Sequence, residues 1–135
     1  MEPFEYSRLP VAQNEIRLIT LLPGRKNDQI ECELSIRKLE ALADNTPYEA
    51  LSYCWGTMGA AMKIHIYDGS SRIGIVLVTP TLHNALLVFR REQAARKLWI
   101  DAICIDQMND KEKNLQIPLM RQIYGGSSGL LIWLG

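Results

Sequence analysis

The sequence predicts an α/β fold: a mostly parallel sheet with helices, extended by N-terminal antiparallel strands and a β-hairpin. Three observations carry that reading. Residues 48–55 (YEALSYCW), 98–105 (LWIDAICI) and 129–134 (GLLIWL) are short runs, apolar or small on both faces, as in strands covered on both sides. A helical apolar stripe lies in each interval between them, so the connections are crossovers and the strands parallel. Upstream, residues 30–39 alternate with period two, which marks a half-exposed strand of an antiparallel pair.

The elements follow in order. Residues 15–22 form an apolar strand stopped by Pro23-Gly24, and residues 25–29 a polar loop. In the alternating strand, Ile30, Cys32, Leu34 and Ile36 face one way and Glu31, Glu33, Ser35 and Arg37 the other. Asp44-Asn45-Thr46-Pro47 is a turn, and residues 56–61 are a small-residue loop. Residues 63–67 and 73–78 flank Asp68-Gly69-Ser70-Ser71-Arg72, which predicts a hairpin. Thr79-Pro80 starts a helix, with a hydroxyl cap and proline at the first helical position. Leu82, Ala85, Leu86 and Phe89 form its apolar stripe, and residues 90–96 its solvated polar end. Asn109-Asp110-Lys111-Glu112 has the spacing of a capping box, with Asn109 as cap and Glu112 reaching back. Ile117, Met120, Ile123 and Tyr124 continue helical spacing; Pro118 kinks that helix, and Gly125-Gly126 ends it.

At 135 residues the chain fits one domain, 1–135, with its core in 16–135. A parallel sheet needs helices on both faces, and the last predicted strand closes one residue before the end. The sequence is therefore expected to be C-terminally truncated, the front of a longer domain or a shortened relative. Apolar residues make up 47% and charged residues 22%, near the averages for globular proteins, which argues against a disordered tail or a fibrous repeat. Lys plus Arg equals Asp plus Glu at 15 each, and this balance argues against a nucleic-acid partner. No apolar run reaches the roughly 18 residues of a membrane span, and the first ten residues lack a signal-peptide core. Cys32, Cys54 and Cys104 are odd in number, widely spaced and set in apolar surroundings. They read as buried free thiols in a reducing compartment, so a cytoplasmic location is expected.

Asp101 is the most informative polar residue. A carboxylate inside a covered strand is costly unless it is paired or faces a crevice. Ligands of open α/β sheets bind outside the carboxyl ends of the strands. Asp106 and Gln107 follow at that end, and Ser52, Trp55 and Gly56 end the first covered strand. Together with Asp101 these residues are the candidate crevice. The competing reading keeps Asp101 structural, accepting hydrogen bonds that hold loops together, Trp55 as core and Gly56 as a turn glycine. A thiol nucleophile, Cys54 or Cys104 with His65 or His83, has no local motif behind it; both histidines read as surface or satisfied side chains. No metal-ligand spacing, Walker loop or GxGxxG is present, and no cofactor is evident. The glycine-rich stretch 125–129 follows a helix and reads as a C-cap loop.

Three blocks resemble the fungal heterokaryon incompatibility (HET) domain. They are residues 48–56 (YEALSYCWG), residues 98–107 (LWIDAICIDQ), and the stretch from Glu112 through Gln116-Ile117, Met120 and Ile123-Tyr124 to Ile132-Trp133-Leu134-Gly135. Val78-Thr79-Pro80 with Leu82, His83, Ala85 and Leu86 agrees more weakly. Order and spacing match over most of residues 16–135. The resemblance implies an effector module of fungal non-self recognition that helps trigger growth arrest and programmed cell death. It would act by self-association or through other incompatibility or signalling proteins. It also assigns structural roles to the family-motif positions Tyr48, Leu51, Tyr53, Trp99, Ile100, Met120, Tyr124, Trp133 and Gly135. The family is distantly similar to TIR domains, which are flavodoxin-like, and some of these cleave NAD+ with a glutamate on a later helix. That helix would fall beyond Gly135. NAD+ therefore stands as the substrate of an alternative, enzymatic reading, and an inactive truncated copy as another.

Overall fold

A computed structural model describes residues 2–39, 47–54 and 59–134. Its strands are β1 (Glu15–Leu21), β2 (Glu31–Lys38), β3 (Glu49–Tyr53), β4 (Met62–Asp68), β5 (Ser71–Val78), β6 (Arg96–Trp99) and β7 (Gly129–Trp133). Its helices are α1 (Pro80–Phe89), α2 (Asp101–Cys104), α3 (Asp110–Gln116) and α4 (Met120–Gly125). Trp55, Gly56 and Gly135, and most of the turn predicted at 44–47, lie outside the described residues.

Local chemistry sets most of these elements. Thr79 caps α1 by accepting the Leu82 N–H at 3.2 Å, with Pro80 at the first helical position. Asn109 caps α3 by accepting the Glu112 N–H at 3.1 Å. Pro118 breaks the second helical region: α3 stops at Gln116, a 3-10 turn spans Ile117–Leu119, and α4 restarts at Met120. The hairpin β4–β5 turns through Gly69 in the left-handed region (φ 60°).

The described strands form one sheet in the order β5-β4-β2-β1-β6-β3-β7. The block β6-β3-β7 is parallel, as the crossover pattern predicts. The sheet as a whole is not mostly parallel. β1 runs antiparallel to both β2 and β6, β4 runs antiparallel to β5, and these ladders include the longest of the sheet. The short 22–30 connection forces β1 and β2 to be antiparallel neighbours, and β1 then occupies the place beside β6. The flavodoxin-like, TIR-like sheet that the resemblance implied is not what this arrangement shows. Register puts Ala50, Trp99 and Leu130 on one face of the parallel block and Leu51, Leu98 and Trp133 on the other. Tyr124 of α4 packs edge-on against Trp99, and Phe89 of α1 against Trp133, so helices reach both faces.

A second correction concerns residues 98–105. They are not one strand: β6 ends at Trp99, Ile100 stays extended, and α2 makes a single helical turn. Ile100, Ile103 and Cys104 are fully buried at helical spacing. A short apolar run fits both periods, and packing decides between them. A third concerns residues 90–96. Arg90 is buried, and its guanidinium donates to the Gln29 carbonyl at 2.9 Å, the Asp28 carbonyl at 3.0 Å and the Arg25 carbonyl. Arg96 grips the Glu49 carboxylate at 2.7 and 3.0 Å. These side chains tie α1 to the 25–29 loop and to β3 instead of facing solvent.

The N-terminal segment lies along β5. The Phe4 N–H donates to the Ile75 carbonyl at 2.8 Å, and the Ile75 N–H to the Glu2 carbonyl at 3.0 Å. Only glycine fits at residue 74, because an added Cβ would sit 2.5 Å from the Phe4 Cα. Gly74→Ala is therefore expected to lift the segment off β5 and to cost about 1–3 kcal/mol. Denaturant unfolding checks the cost, and hydrogen exchange at the Phe4 amide checks the displacement.

Candidate functional site

The carboxyl end of β3 and the α2 turn that follows β6 border a cleft of about 590 Å³. Tyr53, at the end of β3, lines it, as do Ala102 of α2 and the following Asp106, Gln107 and Met108. The opposite wall comes from Ile75–Thr79 and from Phe4 and Tyr6 of the N-terminal segment. Asp106 and Gln107 of the predicted crevice thus do meet. Ser52 alternates with Tyr53 on β3, points to the other face and is not among the lining residues. Trp55 and Gly56 lie outside the described residues.

The fixed point of the cleft is a side chain that sequence reasoning missed. Arg17, in the middle of β1, is 1% exposed. Its Nη1 and Nη2 both donate to the Glu112 carboxylate at 2.8 Å. Nη1 also donates to the Cys104 carbonyl at 3.1 Å, and Nε to the Leu9 carbonyl at 2.9 Å. The Tyr6 ring lies 4.8 Å from the guanidinium, and its hydroxyl donates to the Ile103 carbonyl at 2.6 Å. Glu112 also accepts the Asp106 N–H at 2.5 Å. It does not reach back to its own cap: the buried cation competes for the carboxylate and wins, because an unpaired buried charge would cost several kcal/mol. One ion pair therefore joins β1, the end of α2, the start of α3 and the N-terminal segment. The available signal was a lone basic residue inside the apolar run 15–22.

The loop above this pair is locked locally. Asp106 Oδ1 accepts the Met108 N–H at 3.1 Å. The Gln107 side-chain amide donates to the Asp101 carbonyl at 2.9 Å and to the Ile105 carbonyl at 3.4 Å. Asp101 is not inside a strand but is the first residue of α2, where a carboxylate complements the exposed N–H groups. Its charge helps to hold the Tyr53 and Tyr124 hydroxyls above the ordinary tyrosine range, after burial as the main cause. Both hydroxyls therefore stay protonated and do not act as bases near neutral pH.

The remaining described motif positions lie in the core or pack against it. The Tyr48 hydroxyl donates to the Ile123 carbonyl at 2.5 Å. Leu51, Trp99 and Ile100 are buried, and Met120, Tyr124 and Trp133 are half-buried against the core. Gly135 lies outside the described residues. The cysteines divide: Cys32 and Cys104 are buried, but Cys54 is exposed, against expectation, because it follows the last residue of β3. Burial pushes the Cys104 thiol up to about 12, so it is no nucleophile near neutral pH. Its sulfur accepts the Ile100 N–H at 3.4 Å. His65 is buried, and among the described residues its Nδ1 has no hydrogen-bond partner. Burial, with Arg72 and Lys63 nearby, lowers its pKa, although Glu31 opposes this. Among the described residues, no group of His, Cys, Asp and Glu side chains is placed to hold a metal ion.

The ion pair makes a signed prediction. Burial pushes the Glu112 carboxyl up, but the Arg17 hydrogen bonds, the Asp106 N–H and the Arg17 charge together outweigh it, so the pKa is lowered. A depressed carboxylate contributes stability that is complete above the unfolded value of about 4.3 and is lost as pH falls through the folded value. Stability is thus expected to drop as pH falls below about 4. Glu112→Gln should cost about 3–5 kcal/mol at pH 7 by stranding Arg17, and should flatten that acid slope. Urea unfolding of both proteins between neutral and acid pH measures it.

The family model of the heterokaryon incompatibility protein (HET) matches residues 48–135. Heterokaryon incompatibility protein 6, OR allele, of Neurospora crassa is 38% identical over an alignment of 143 positions, gaps included, that covers 98% of this chain. The chain spans 21% of that relative's length. No solved structure matches the chain. The blocks that form β3, the β6–α2 corner with its cleft loop, and the α3–β7 region all fall within the matched residues, and this chain belongs to the heterokaryon incompatibility family.

Proposed function

We propose that this domain is an effector module of fungal non-self recognition and programmed cell death, and that it acts in the cytoplasm by assembling with further copies of itself through β7. The observation that carries this reading is the state of that strand. Among the described strands β7 closes the sheet and pairs only with β3. Leu130, Ile132 and Leu134 are 52%, 59% and 90% exposed, and no charged residue occurs between Gly129 and Leu134. Soluble proteins guard an open edge with charges, prolines or bulges, and a bare apolar edge templates strand pairing. Two copies meeting antiparallel along β7 would be self-complementary, as two-fold symmetry requires. Among the described residues, no helix is long and apolar enough to cross a membrane.

Sedimentation velocity across a concentration series tests the proposal. Concentration-dependent assembly is expected. Ile132→Lys places a charge on the edge and should weaken association at least about tenfold with little change in the unfolding midpoint. A chain that stays monomeric at high micromolar concentration, or assembly untouched by Ile132→Lys, would sink it. Nicotinamide release from NAD+ is the readout of the enzymatic alternative. The assembly reading expects none, and turnover that disappears in a folded Asp101→Ala variant would overturn it.

A further inference from the structure

The cleft has a chemistry of its own, independent of assembly through β7. We propose that it binds an uncharged, largely apolar small molecule that carries a ring system and one hydrogen-bond donor, received by Asp106. Three observations lead there. The volume, about 590 Å³, is that of a small-molecule site, which typically holds about 300–1,000 Å³. The walls are apolar or aromatic: Phe4, Tyr53, Val76, Val78 and Ala102. The polar side chains of the lining are mostly committed already. The Tyr6 hydroxyl donates to the Ile103 carbonyl, and the Thr79 hydroxyl accepts the Leu82 N–H. Asp106 Oδ1 accepts the Met108 N–H, and the Gln107 amide nitrogen serves two carbonyls. Asp106 Oδ2 and Gln107 Oε1 remain as acceptors, and the Thr79 hydroxyl, which only accepts from Leu82, keeps its own proton.

Charge sets the ligand class. No Lys or Arg is among the described lining residues, and Asp106 is the one carboxylate there. The nearest buried cation, Arg17, is neutralised by Glu112, and its nitrogens are already bonded to Leu9, Cys104 and Glu112. A phosphate, sulfonate or carboxylate would meet a carboxylate and acceptor oxygens with no cation to offset them. A neutral ring with an N–H or O–H meets matching walls and a matching acceptor.

Two fluorescent dyes on one framework provide the test. N-phenyl-1-naphthylamine is neutral, apolar and has one N–H; 8-anilinonaphthalene-1-sulfonate adds an anionic group. The neutral dye is expected to bind saturably at one site, at least about tenfold tighter than the sulfonate. Asp106→Asn keeps the oxygen that accepts the Met108 N–H and removes the charge, so it should shrink that preference to about threefold or less. Ala102→Trp fills the cleft and should abolish neutral-dye binding. Should Ala102→Trp fail to fold, Val76→Trp fills the cleft from the opposite wall. Non-saturable binding, equal affinity for the two dyes, a preference unchanged in Asp106→Asn, or undiminished binding in a folded cleft-filling variant would each overturn the proposal.

Discussion

The Arg17–Glu112 ion pair is the interaction on which the arrangement around the cleft depends. Arg17 stands in a central strand where both faces are covered, so its charge has no route to water. Every nitrogen of the guanidinium must then find an oxygen, and each partner comes from a different part of the chain: Leu9, Cys104 and Glu112. The need to satisfy one buried cation specifies where the N-terminal segment crosses, where α2 ends and where α3 begins. Replacing such a pair by packed apolar residues is often neutral, whereas removing one partner is not. Its contribution is therefore to position these segments more than to add net stability.

From that point the cleft follows. Glu112 also takes the Asp106 N–H, so the ion pair sets the height of the loop that presents Asp106 and Gln107. Tyr6, held over Arg17 and bonded to Ile103, brings the N-terminal wall against α2. Gly74 lets the same segment lie directly on β5. The cleft is the space left between walls that are each anchored elsewhere. β7 lies at the far edge of the parallel block, and none of its residues is among the described residues that line the cleft.

What was legible in the sequence was local. The Thr79 and Asn109 caps, the break at Pro118 and the hairpin around Gly69 each depend on a few neighbouring residues, and each is found where the sequence put it. The crossover pattern also gave the parallel block correctly. What failed was long-range. Nothing in residues 98–105 distinguishes a strand from a strand followed by one helical turn, because Ile100, Ile103 and Cys104 suit either. Arg17, Arg90 and Arg96 are charges whose partners lie 95, 61 and 47 residues away, at Glu112, Gln29 and Glu49, and no local pattern announces them. At the site, the sequence reading placed Asp106 and Gln107 beyond a strand's carboxyl end; both line the cleft, but from the loop that follows α2. The walls from Phe4 and from Ile75–Thr79 were not foreseen, since only the folded sheet brings them there.

The claim that one buried pair organises the cleft is tested most directly by a double-mutant cycle. Arg17→Met and Glu112→Met, singly and together, would be followed by urea unfolding at pH 7 and by hydrogen exchange over residues 101–109. The account predicts that each single variant loses about 3–5 kcal/mol and that the double variant recovers much of that loss, with a coupling of at least about 2 kcal/mol. It also predicts that the Asp106 amide loses protection in every variant lacking Glu112. Additive losses, or an Asp106 amide equally protected without Glu112, would contradict it.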